Sequence, residues 1–205
     1  MNFLAHLYLA DDRPDSLVGN LLGDFHKGPV DQLPAGLRDG VMLHRRVDGF
    51  ADAHDLTRTS RRRLDPGLRR YGGIVVDIFY DHFLARHWRD YARLPLEDFT
   101  RRTYRILAEH QQLMPPRMQR VMERMIRHDW LLSYRQEAGI HRALQGIEGR
   151  LSRPSGLSRA MVDLRQDYRG FEADFRAFFP ELVAFATVHK AGTGPPADQV
   201  GHGGG

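Results

Sequence analysis

Four short stretches of the chain each set a polar pair, four residues apart, into a face that is otherwise apolar. In IVVDIFYDHFLARHW, Asp77 and Asp81 lie one helical turn apart in a sector shared with Ile74, Leu84 and Trp88, and His82 follows directly. In LRDGVMLHRRVDGFADAHD, His44 and Asp48 are flanked by Leu37, Val41 and Ala51. Asn20 and Asp24 sit beside Leu17 and Leu21 in SLVGNLLGDF, and Asn2 and His6 beside Phe3 and Leu9 in MNFLAHLYL. A carboxylate inside an apolar stripe is costly unless something pairs with it. Imidazole and carboxylate without sulfur suit Mn²⁺, Fe²⁺, Mg²⁺ or Zn²⁺. A bundle can bring such side chains from facing helices around one cation. The alternative is a metal-free hydrogen-bonded network, because each pair alone is also an ordinary i,i+4 contact.

Arginine supplies the second half of the chemistry. Arg45 and Arg46 follow His44, and Arg45 projects beside the His44/Asp48 face. Arg58 and Arg62 are four apart in RTSRRRLDPGLRR, where Arg61, Arg63, Arg69 and Arg70 add to the charge. Guanidinium forks match phosphate oxygens, and a hydrated cation can supply a nucleophile near neutral pH. Metal plus arginine therefore points to phosphoester hydrolysis. The plainer reading of the arginines is salt bridging, for instance Arg45 with Asp52.

These side chains need helices to position them. Helical spacing dominates and no run alternates with period two. The pattern predicts helices over about 2–10, 15–26, 35–54, 56–63, 69–92, 96–112, 116–134, 137–150 and 157–187, with breaks at Gly28-Pro29, Asp65-Pro66-Gly67, Pro115-Pro116 and Pro154-Ser155-Gly156. The expected architecture is a single all-α domain, a helical bundle over 1–190, followed by a disordered tail over 191–205 that lacks core-forming residues. Met114, Met118, Met122 and Met125, and Phe171, Phe175, Phe178, Phe179 and Phe185, recur at helical spacing and read as core, although a methionine face can also form an adaptable groove. The doublets His54-Asp55 and His128-Asp129 arise easily by chance, and His128-Asp129 has no companion pair nearby. GxxxxGK[ST], HExxH and GxSxG motifs are all missing from the sequence.

At 205 residues with 41% hydrophobic content, the chain can bury one sizeable core. It has no cysteine, which excludes disulfides, zinc–thiolate sites and thiol nucleophiles. The N-terminal apolar run carries His6 and lacks a basic region ahead of it, so it reads neither as a signal peptide nor as a membrane span. The expectation is a soluble cytoplasmic protein. A net charge of +4 and a pI near 9.7 favour an acidic partner.

In order and spacing, MNFLAHLYLA, GNLLGDF, LHRRVDGFADAH and DIFYDHFLARHW resemble the acyl carrier protein phosphodiesterase family. The likeness runs over about 1–88 and continues more loosely to about Lys190. It implies an all-helical fold distantly related to the HD phosphohydrolases. It implies Mn²⁺-dependent hydrolysis of the phosphodiester joining 4′-phosphopantetheine to a serine of acyl carrier protein. The products would be apo-carrier protein and 4′-phosphopantetheine. That acidic carrier would suit a basic chain; neither nucleic acid nor membrane is an expected partner. The matched polar positions are Asn2, His6, Asn20, Asp24, His44, Asp48, Asp77, Asp81 and His82. The doublet here runs Asp81-His82, inverted relative to the usual HD order. On this footing His6, Asp24, His44, Asp77, Asp81 and His82 are candidate metal ligands, with Asp24, His44, Asp81 and His82 leading. Asp24, His44, Asp48 and Asp81 are the candidate catalytic set. Arg45, Arg58, Arg62, Asn2 and Asn20 are the substrate-binding candidates, and Mn²⁺, Mg²⁺ or Fe²⁺ the cofactor. The rival readings are a phosphohydrolase of nucleotides or other small phosphoesters, and a non-enzymatic helical module for an acidic partner.

Overall fold

Proline and short polar side chains divide the sequence into helices, and the observed boundaries follow them closely. A computed structural model describes residues 1–151 and 155–190. The predicted tail and the Pro154 break fall outside the described residues. Among the described residues there are α-helices and short 3₁₀ turns but no strand. In chain order the helices are α1 (Phe3–Leu9), α2 (Pro14–Leu22), α3 (Ala35–Ala53), α4 (Asp55–Arg63), α5 (Gly72–Arg86), α6 (Trp88–Tyr91), α7 (Leu96–Glu109), α8 (Pro116–Arg127), α9 (Trp130–Ser133), α10 (Glu137–Glu148), α11 (Ala160–Gln166) and α12 (Tyr168–His189).

Three predicted helices are each divided. The 69–92 stretch starts as a 3₁₀ turn at Pro66–Tyr71 and breaks at His87, so α6 is separate. The 116–134 stretch breaks at Asp129, whose φ of 45° is left-handed and redirects the chain into α9. The 157–187 stretch breaks at Asp167, whose side chain accepts from the Gly170 amide and starts α12 afresh. Pro180 lies inside α12 without ending it.

Helix α5 is apolar on nearly every side, and a helix of that kind belongs in the centre. It packs against α1, α4, α10 and α12. Phe79 and Phe83 meet Phe171 and Phe175 of α12, and Tyr80 meets Phe178. Met118, Met122 and Met125 are buried, so that stripe is core. One contiguous apolar cluster runs from Met1 to Ala186.

Helices α2 and α3 pack backbone to backbone, and glycine permits it. A Cβ on Gly19 would lie 2.5 Å from the Leu37 carbonyl oxygen, and one on Gly40 would lie 2.7 Å from the Asn20 amide nitrogen. The two backbones touch where Asn20 and His44 leave their helices. Gly19→Ala and Gly40→Ala should each cost about 1–3 kcal/mol through overpacking. Urea denaturation measures this, and an unchanged midpoint would contradict the crossing.

Candidate metal centre

Helices α1, α2, α3 and α5 each deliver a side chain to one place. His6 and His44 stack face to face, with ring centroids 3.8 Å apart and planes 16° from parallel. Both point Nε2 at the same carboxylate: His6 lies 3.1 Å from Asp48 Oδ1, and His44 lies 3.1 Å from Asp48 Oδ2. Asp24 Oδ1 approaches His44 Nε2 at 3.7 Å. The α-ammonium of Met1 lies 3.0 Å from Asp48 and 3.2 Å from Asp77. His6, His44, Asn20 and the Met1 ammonium are buried, while the side chains of Asp24 and Asp48 are 47% and 38% exposed. The site thus has a buried imidazole floor and a carboxylate mouth open to solvent.

Local structure explains the arrangement. His44 and Asp48 share one face of α3 at the i,i+4 spacing. The His44 ring has space because residue 23 is glycine: a Cβ there would sit 2.3 Å from the imidazole. Residues 23–26 turn out of α2 through backbone bonds to Leu21 and Leu22, which leaves Asp24 on the rim.

Charge and proton placement follow from burial. For Asp48, desolvation acts upward, but the two facing imidazoles and the nearby ammonium outweigh it and hold the carboxyl far below its usual range. Burial would lower the Met1 ammonium, yet Asp77 and Asp48 push it up to about 11. Burial and the adjacent His44 drive His6 down to about 4. Desolvation raises Asp24, with His44 working against it. Desolvation also raises Asp77, and the ammonium works against it.

The residues fit a divalent cation. His6 faces acceptors on both edges: Asn20 Oδ1 at 3.1 Å from Nδ1, and the Met1 carbonyl and Asp48 Oδ1 at 3.1 Å from Nε2. A neutral imidazole has only one N–H, and His6 resists taking a second proton. With Nδ1–H given to the Asn20 carbonyl, the Nε2 lone pair is left among oxygens, which is the environment of a metal-ligating nitrogen. The Asn20 amide nitrogen has no partner in this orientation. Ligand atoms of His6, His44 and Asp48 lie within 4.8 Å of one another, a span one ion can bridge. Imidazole and carboxylate suit Mn²⁺, Mg²⁺, Fe²⁺ or Zn²⁺ and do not select among them.

The expected set is therefore gathered only in part. Asp81, expected as a leading ligand and catalytic acid, spends both oxygens on α1: Leu4 N donates to Oδ2 at 2.7 Å and Ala5 N to Oδ1 at 3.0 Å. It caps a helix that has no side-chain cap of its own. Burial pushes it up to about 7, with the two amides pulling the other way. His82, also expected as a ligand, is held between the Tyr134 carbonyl at 2.7 Å and the Tyr168 hydroxyl at 2.8 Å. Asn2 donates to the Tyr134 hydroxyl at 3.2 Å.

The arginines are placed differently from expectation too. Arg45 donates to the carbonyls of His26 and Gly28, which ties the loop beyond Asp24 to α3; it does not pair with Asp52. Arg58 pairs with Asp55 and Arg62 bonds Thr59, each one turn away on α4. The sequence reading missed the Met1 ammonium and Tyr134. No side-chain pattern signals a backbone amine, and Tyr134 lies in a segment without a polar pair.

The acyl carrier protein phosphodiesterase profile matches residues 1–182. A protein of Enterobacter sp. named acyl carrier protein phosphodiesterase is 36% identical over 188 residues, covering 91% of this chain and 97% of its own. Proteins of the same name from Serratia proteamaculans and Yersinia pestis are each 35% identical, covering 89% and 93% of this chain and 96% and 99% of theirs. No solved structure gives a significant match. Nearly full-length coverage on both sides leaves one conclusion: the chain belongs to the acyl carrier protein phosphodiesterase family.

Proposed function

We propose that this protein hydrolyses the phosphodiester joining 4′-phosphopantetheine to a serine of acyl carrier protein. Water adds across the bond between phosphorus and the serine oxygen. The serine leaves with a proton as apo-carrier, and 4′-phosphopantetheine carries the new phosphate oxygen. The observation that supports this best is the pair of stacked histidines converging on Asp48, in a chain that matches the family through the same segments.

His6, His44 and Asp48 would hold a divalent cation, Mn²⁺ first among Mn²⁺, Mg²⁺ and Fe²⁺, with Asp24 and Asp77 beside them. Such an ion supplies Lewis-acid polarisation of the phosphoryl oxygens and acidifies water. Asn20 holds the His6 tautomer through Nδ1. Asp24 is half exposed, has no strong hydrogen bond, and is raised by desolvation, so it is the carboxylate best placed to take the proton of the attacking water. Arg45 keeps the loop after Asp24 in place.

Arg58 and Arg62 are engaged within their own helix, so the acidic carrier has a better surface elsewhere. Arg117, Arg120, Arg124 and Arg127 recur at intervals of three, four and three on α8, all exposed and without an ion-pair partner among the described residues. They form one ridge, opposite the buried methionines. Potential from such a ridge steers an acidic partner. No described helix is long and apolar enough to cross a membrane.

Asp24→Asn should lower turnover of holo-carrier by about 10²–10⁴-fold, the share typical of a general base. Metal content and melting temperature should stay; a loss of bound metal would make Asp24 a ligand. The double charge reversal of Arg120 and Arg124 to Glu should raise KM for carrier about tenfold at low salt, with the gap closing as salt rises. Steady-state kinetics at two ionic strengths tests this, and a KM equal to wild type removes α8 from recognition. In chelator-treated protein, His6 is harder to protonate when folded (about 4) than unfolded (6.5), so the unfolded chain takes up the proton first as pH falls. Stability is complete above about 6.5 and is lost by up to about 3 kcal/mol as pH falls towards 4. Denaturation across that window should show the slope in wild type and lose it in His6→Gln.

A further inference from the structure

A cavity of about 430 Å³ opens between α1, α9 and α10. That volume lies within the roughly 300–1,000 Å³ of small-molecule sites. Phe3, Trp130, Ala143 and Ile147 give it apolar walls, with Phe3 stacked on Trp130 at 6.4 Å between centroids. Ser133, Asn2 and Tyr134 give it hydroxyl and amide groups. The trough exists because α10 turns small residues towards it: Gly139, Ala143 and Gly146 recur three to four residues apart. Gly139 packs directly against the Ser133 backbone, whereas nothing lies within 4 Å of where a Gly146 Cβ would be. Gly146 therefore borders open space.

The cavity neighbours the candidate metal centre through the N-terminal residues. Asn2 lines it and bonds Tyr134. The preceding residue, Met1, touches Asp48 and Asp77 through its amine and His6 through its carbonyl. A ligand with its phosphate at the carboxylates could extend past Met1 and Asn2 into this cavity. Among groups esterified to such a phosphate, the pantetheine arm combines what this lining can meet: a gem-dimethyl carbon, two amides, and a slender thiol-ended chain. The dimethyl group suits the Phe3/Trp130 wall, and the amides suit Ser133, Tyr134 and Asn2.

We infer that the cavity between α1, α9 and α10 receives the pantetheine arm while its phosphodiester lies at His6, His44 and Asp48. This rests on the reading of the protein as a carrier protein phosphodiesterase. It assigns roles to Trp130, Ser133, Gly146 and Ile147 that the metal centre does not need.

A graded series at position 146 tests the inference. Gly146→Ala, Gly146→Leu and Gly146→Trp fill the trough progressively and replace glycine within a helix, so melting temperature should not fall. The kcat/KM for holo-carrier should drop along the series, reaching tenfold or more at leucine by the overpacking scale. Free pantetheine should compete with holo-carrier in wild type and cease to compete in Gly146→Leu. Unchanged kcat/KM and unchanged competition across the series overturn the assignment. If wild type does not hydrolyse holo-carrier at all, the functional reading fails by itself, and calorimetry with free pantetheine decides the cavity separately. Binding that is lost in Gly146→Leu upholds it. No binding to wild type, equal binding by both, or binding of AMP in place of pantetheine overturns it.

Discussion

The Asp48 carboxylate is the constraint on which the rest of the site depends. It faces two buried imidazoles and the Met1 ammonium, and among the described residues no other group meets all three. Without a fixed anion there, the ammonium would keep Asp77 alone of the two carboxylates, and the stacked histidines would lose the group on which their Nε2 atoms converge. A charged group removed from water without a partner is strongly destabilising. The cluster is therefore held together by mutual compensation among α1, α3 and α5, and its nitrogen and oxygen atoms are oriented by the fold itself. That is preorganisation in the physical sense: the cost of bringing the groups together falls on folding.

Much of this was legible in the sequence. The i,i+4 pairs on apolar faces identified His6, Asn20, Asp24, His44, Asp48 and Asp77 as side chains that share one neighbourhood. The same spacing also selected Asp81 and His82, and there periodicity stops short. A carboxylate on a buried helical face can meet a cation or the amides of another helix's first turn, and only the packing of α1 against α5 chooses. His82 is buried for a related reason, with both ring nitrogens engaged by Tyr134 and Tyr168 from distant segments. The long helix predicted over 116–134 could not show its break, because the left-handed residue is Asp129 rather than a glycine.

The arginines carry a comparable lesson. Half of the densest basic run in the sequence, Arg58, Arg61 and Arg63, is spent on internal ion pairs. Arg61 meets Asp52, and Arg63 meets Asp167 and Asp174, which ties α4 to the α12 end of the chain. The ridge on α8 is more dilute in sequence, yet helical spacing aligns it and leaves it unengaged. Charge density along a sequence and charge available to a partner are different quantities, and tertiary pairing separates them. The cavity beside α10 was illegible for the opposite reason: it is made by what glycine and alanine lack.

The cap that Asp81 places on α1 has a consequence for biogenesis. A seven-residue helix is too short to persist alone in water, and the carboxylate that satisfies its first amides lies 77 residues further along the chain. During folding α1 therefore settles only when α5 packs against it. Met1 and Asp77 likewise meet only then. A partly folded chain without that contact carries the residues of the site without their arrangement.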